Sequence, residues 1–144
     1  MIDLLDKKLS YCSSLPDAPA KGWVHAVRTA MRMSLRQLAE RLHITAPSAH
    51  EIEKREREGT ITLNALRAAA SALNMKLVYG FVPVDGSLEK SIEKQALAVA
   101  RKIQSRANQS MILEDQGLEP EDIEKSVREM AYEIKKEMPR YLWD

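Results

Sequence analysis

A single cysteine, Cys12, stands among 144 residues, so neither an internal disulfide nor a multi-cysteine zinc site is available. That scarcity fits a reducing cytosol, and a cytoplasmic location is expected. Only 5 glycines and 6 prolines occur, too few for a loop-rich or collagen-like chain. No apolar run approaches the ~20 residues of a membrane helix. The opening MIDLLDKKLS sets acids among its leucines and lacks the apolar centre of a secretory leader. Catalytic signatures are missing too: there is no Gly-rich phosphate loop, no Gly-x-Ser-x-Gly elbow and no His-Glu-x-x-His. His25, His43 and His50 show no ligand spacing, so no enzyme, cofactor or metal is expected. What is present, 44% apolar and 30% charged residues, is the composition of an ordinary soluble helical protein. Its length suits one compact domain, or a small domain with an appended arm.

Lys plus Arg is 22 against 21 acids, but this balance hides an asymmetry. Between Lys21 and Gly80, ten basic residues face five acidic ones, whereas from Phe81 to Asp144 ten face thirteen. A basic middle points toward nucleic acid, and an acidic end toward a different partner or none.

Periodicity divides the chain in three. Residues 1–20 read as a short amphipathic helix (Ile2, Leu5, Leu9) and a linker marked by Pro16 and Pro19. Residues 21–84 read as four short helices. Trp23, Val24, Val27, Ala30 and Met31 stripe the first, and Leu35, Leu38, Ala39 and Leu42 the second. Ala49 and Ile52 anchor the third, and Leu63, Leu66, Ala69, Ala70 and Leu73 line the fourth. Ser34, Thr45 and Thr62 are placed to cap the last three, with Pro47 tolerated in a first turn. At 75–83 (MKLVYGFVP) the period changes to two, which predicts a β-strand. With no mate in the chain, it is expected to pair with its copy in a second subunit or with a partner's edge, or else to lie extended on the core. Residues 85–144 read as a helical arm. Ser87 caps a long helix striped by Leu88, Ile92, Ala96, Val99, Ile103 and Ala107, with a break near Asn108. Pro120 starts a last helix striped by Ile123, Val127, Met130, Ile134 and Met138. The fold class expected is all-α with one short strand.

The run Ser34-Leu-Arg-Gln-Leu-Ala-Glu-Arg-Leu-His-Ile-Thr-Ala-Pro-Ser-Ala-His-Glu-Ile-Glu-Lys resembles the helix-turn-helix of phage-repressor-like (Xre-family) regulators. That resemblance implies a repressor-like domain whose third helix enters a major groove. It places Ala46, Pro47, Ser48 and His50 toward the bases, with Glu51 nearby, and Arg36, Gln37, Thr45, Lys54 and Arg55 on phosphates. No Arg, Asn or Gln stands at a base-reading position, so base reading falls to Ser48, His50 and methyl contacts. Use of the motif only as an interaction scaffold is the alternative.

The layout over nearly the full chain resembles the mobile mystery protein A family. Gly22-Trp23, Met33–Ala39, Gly59–Leu63, Leu77–Tyr79 and the charged helical tail carry the likeness. It implies an antitoxin encoded beside a Fic-domain toxin, an enzyme that transfers AMP to protein hydroxyls. The segment 108–118 resembles the inhibitory helix of small Fic antitoxins, Ser/Thr-x-x-x-Glu-Gly/Asn. Ser110 and Glu114 match it, and Asp115 departs from it. In that family the glutamate pairs with an arginine that would otherwise hold the ATP γ-phosphate, a bidentate bond strong enough to compete. The implied partners are double-stranded DNA at a palindromic site in its own promoter, a Fic-domain toxin, and a second copy in a homodimer or a toxin–antitoxin heteromer, with no membrane. A plain regulator whose arm only dimerises, and an inhibitor scaffold without DNA binding, are the alternatives.

Overall fold

The computed structural model describes residues 1–113 and 119–144, Met111 by its backbone alone. It is all-helical among the described residues: α1 (Ile2–Cys12), α2 (Trp23–Ala30), α3 (Leu35–Leu42), α4 (Ala46–Glu58), α5 (Leu63–Ala72), α6 (Leu88–Leu113), α7 (Pro120–Glu137) and a 3₁₀ turn, Arg140–Trp143. None of these helices is long and apolar enough to cross a membrane. The chain divides into two units, Leu15–Tyr79 and Met1–Ser14 with Gly80–Asp144.

The first unit packs α2 to α5 around Val24, Leu38, Ala39, Ala49, Ala69 and Leu73. Local chemistry sets its helix starts. Ser34 Oγ accepts from the Gln37 N–H at 3.1 Å while Gln37 Oε1 accepts from the Ser34 N–H at 2.8 Å, a reciprocal capping box. Thr45 and Thr62 cap α4 and α5 through the N–H groups of Ser48 and Ala65, as expected. Gly59, at φ 77°, closes α4 in the left-handed conformation. Three residues of the stripe expected to be buried on the first helix differ: Trp23, Ala30 and Met31 are exposed, so Val24 carries the burial.

The second unit buries Ile92, Ala96 and Ala100 of α6 against Val127, Ala131 and Ile134 of α7. Alanines on α6 allow the two helices to approach closely, and Leu142 of the 3₁₀ turn seals the end, fully buried. The tail Tyr141–Trp143 thus finds its cover through its middle residue. Gln95 Nε2 donates to the Leu142 carbonyl at 2.7 Å, and Ser126 donates to the buried Gln104 at 3.1 Å. Ser87 Oγ accepts from the Lys90 N–H at 3.1 Å, the expected cap of α6.

Three features go beyond what the sequence placed. First, the expected N-terminal helix is present as α1, and residues 1–14 group with the C-terminal helices: Ile2 packs on the core of the second unit, and Asp6 accepts from the N–H groups of Leu88 (2.6 Å) and Glu89 (3.2 Å). A carboxylate remote in sequence supplies the charge that the start of α6 favours. Second, α6 runs through Asn108 to Leu113 without the expected break, because nothing between 104 and 113 is a helix breaker. Third, 75–83 forms no strand within the chain, since a strand needs a neighbouring backbone and none of the described residues offers one.

Candidate nucleic-acid interface

The sequence-predicted DNA residues converge on α3, α4 and the three-residue connection between them. His43 ends α3 at φ 56°, and its backbone N–H returns to Ala39 and Glu40. Ile44 and Thr45 then lead directly into α4. A side chain in the left-handed region is tolerated here because the turn must reverse within three residues.

α4 is fixed by its inner face. Ala49 is fully buried and Ile52 packs beside it. Two acids on that face, Glu53 and Glu56, are bonded inside the unit. Glu53 is 3% exposed and accepts from Arg28 Nε at 2.6 Å and from Nη2 at 3.3 Å. Arg28 Nη1 donates to the Met33 carbonyl at 2.8 Å, and His25 Nδ1 lies 3.7 Å from Glu53. This ties α2, α4 and the turn before α3 together. Glu56 accepts from the Trp23 N–H at 3.0 Å and the Val24 N–H at 2.8 Å. Gly22 precedes α2 without a side chain to cap it, so the distant carboxylate takes that role. A Cβ at Gly22 would meet Glu56 Oε1 at 2.7 Å, and its φ is 87°, so glycine is required on both counts.

With the inner face committed, the opposite face of α4 carries Pro47, His50 and Lys54, all exposed. Their spacing of three and four residues sets them on one side of the helix. Lys54 has no ion-pair partner among the described residues. Arg55 is exposed and sits 3.4 Å from Glu51, one turn earlier, so the carboxylate nearest this face is partly matched. Thr45 Oγ1 accepts from the Ser48 N–H at 3.2 Å and donates to Ser48 Oγ at 2.8 Å, so both hydroxyls are engaged at the start of α4. Ala46 is partly buried against the core. On α3, Arg36 reaches solvent, 3.5 Å from Glu40, and Gln37 commits its oxygen to the Ser34 cap.

The pair expected to be inhibitory, Ser110 and Glu114, divides differently. Ser110 is exposed in the last turn of α6, whereas Glu114 lies outside the described residues.

The sequence reading missed Arg28, Glu53 and Glu56. A signal for them exists: positions 49, 52, 53 and 56 share one helical face, and a cap-less Gly-Trp start calls for an acceptor from elsewhere. The chain matches no family model, no curated protein and no solved structure.

Proposed function

We propose that this chain is an antitoxin that represses its own operon: residues 21–84 bind duplex DNA, and residues 85–144 bind and inhibit a Fic-type AMP-transferase toxin. In this reading α3 and α4 are the two helices of a repressor-like helix-turn-helix, with α4 in the major groove. Arg36, Gln37, Thr45, Lys54 and Arg55 contact phosphates, and Ala46, Pro47, Ser48 and His50 meet base edges. The observation that supports it most is the outward face of α4, where Pro47, His50 and Lys54 stand free on a helix clamped from behind by Glu53 and Glu56. The excess of basic over acidic residues from Lys21 to Gly80 agrees in sign with a polyanionic ligand. One such domain reads few bases, so a dimer on a palindromic site supplies the specificity.

Ser110 and Glu114 carry the inhibitory role, on the resemblance of their spacing. Glu114 would compete with the ATP γ-phosphate for a toxin arginine. Two experiments divide the reading. A mobility shift on the chain's own promoter tests the first half: a retarded band that weakens with salt supports it, and no band overturns it. Co-purification with the neighbouring gene product tests the second: capture of a Fic-domain protein supports it, and its absence leaves a regulator whose arm serves assembly.

A further inference from the structure

The segment after α5 is an exposed apolar stretch, with Met75, Val78, Tyr79, Phe81 and Val82 all open to solvent. Met75 donates its N–H to the Ala70 carbonyl at 2.7 Å, which closes the helix end, and the Gly86 N–H returns to the Pro83 carbonyl at 3.2 Å. Between them, no backbone N–H or C=O from Lys76 to Val82 is hydrogen-bonded among the described residues. The side chains are those of a strand, and Val78, Tyr79, Phe81 and Val82 are exposed, Phe81 at 81%. Phe81 is the chain's one phenylalanine. Beside this run, within the Leu15–Tyr79 unit, lies an apolar groove of about 420 Å³ lined by Trp23, Val27, Leu66, Leu73, Leu77 and Val78 among others. An exposed row of free backbone groups with apolar alternation is a template for a second strand.

We propose that Lys76–Val82 pairs antiparallel with the same segment of a second copy, forming a two-stranded ribbon on a two-fold axis at Tyr79. The unpaired run has seven residues, and only a register centred on its midpoint, Tyr79, pairs all of them with their symmetry mates. That register sets Leu77 opposite Phe81 of the other copy and Tyr79 opposite its own mate, so one face carries continuous apolar cross-strand pairs. It sets Lys76 opposite Val82, with no lysine facing lysine. Leu77 lines the groove, so the second copy's Phe81, its direct cross-strand neighbour, is delivered to that apolar surface. A two-stranded ribbon alone is marginal in water, and the groove supplies the burial that it needs. Lys76 stands at one end of the run and Pro83 just beyond the other, which suits a ribbon that stops at two strands.

The full chain without DNA tests this, so the outcome is separate from the DNA-binding reading. Sedimentation of the wild type is expected at twice the 16.3 kDa chain mass. Val78→Pro removes a ladder N–H and Phe81→Glu places charge in the groove; each is expected to give monomer with unchanged helical circular dichroism. In a Cys12→Ser background, Tyr79→Cys is expected to form a covalent dimer on mild oxidation. Leu77→Cys and Phe81→Cys are not, because each lies two residues off the axis and so roughly 14 Å from its own mate, beyond disulfide reach. A monomeric wild type at tens of micromolar overturns the proposal. A dimer that survives both substitutions while the Tyr79→Cys variant stays uncrosslinked overturns it as well.

Discussion

Glu53 and Arg28 form a buried pair whose worth lies in what its loss would expose. With Glu53 removed, Arg28 keeps the Met33 carbonyl and the neighbouring His25 as its only partners among the described residues. Breaking such a pair from one side costs roughly 3–5 kcal/mol, so Glu53→Ala is expected to lower the urea midpoint sharply while leaving the denaturant slope unchanged. Glu56 is only partly buried, and Glu56→Ala is expected to cost about 1–3 kcal/mol through the two amides it leaves at the start of α2. Neither acid was legible as structural, because the charged run 53–58 reads as a solvated helix end unless its residues are placed on a wheel. On the proposed inhibitory role, Glu114→Gly is expected to restore AMP transfer by the cognate toxin while the two proteins still co-purify. Undiminished inhibition in that assay would remove Glu114 from the mechanism.

At the scale of elements, helix starts were the most legible feature. Ser34, Thr45, Thr62, Ser87 and Pro120 all begin helices where local chemistry placed them, since a cap acts over three residues of sequence. Ser34→Ala is expected to cost about 1 kcal/mol in thermal unfolding and to fray the first turn of α3. The strand expected at 75–83 has no counterpart among the described residues, because pairing depends on a neighbouring backbone that periodicity cannot locate. Long-range caps were hidden for a similar reason: Asp6 and Glu56 act on helices 82 and 32 residues away. Two surface ties give a pH dependence of known sign. The hydrogen bond from Lys94, aided by Ser91, holds Asp85 below its ordinary range, so its contribution is lost as pH falls through that lowered value. The bonds to Glu93 and then Glu89 hold Lys135 above its ordinary range, and its contribution is lost as pH rises through that raised value. Both groups are partly exposed to solvent, which screens their ion pairs, so thermal melts of Lys135→Met at neutral pH are expected to differ little from the wild type.

Across the whole molecule, a basic stretch and an acidic one were visible in composition, and the two cores lie largely in those same two stretches. What composition did not show is that residues 1–14 belong with the C-terminal helices, an assignment that Ile2 and Asp6 make through packing and capping rather than sequence proximity. The central claim is that α4 meets duplex DNA with the face that its inward acids, Glu53 and Glu56, leave free. The most direct measurement is fluorescence anisotropy of the full chain on its own promoter, for the wild type and for Lys54→Ala, across a series of salt concentrations. The logarithm of affinity is expected to fall linearly with the logarithm of salt. Lys54→Ala is expected to weaken binding and to flatten that slope by about 0.9 for each phosphate it no longer neutralises. Equal affinity and equal slope for the two proteins, with both folded, would contradict the account.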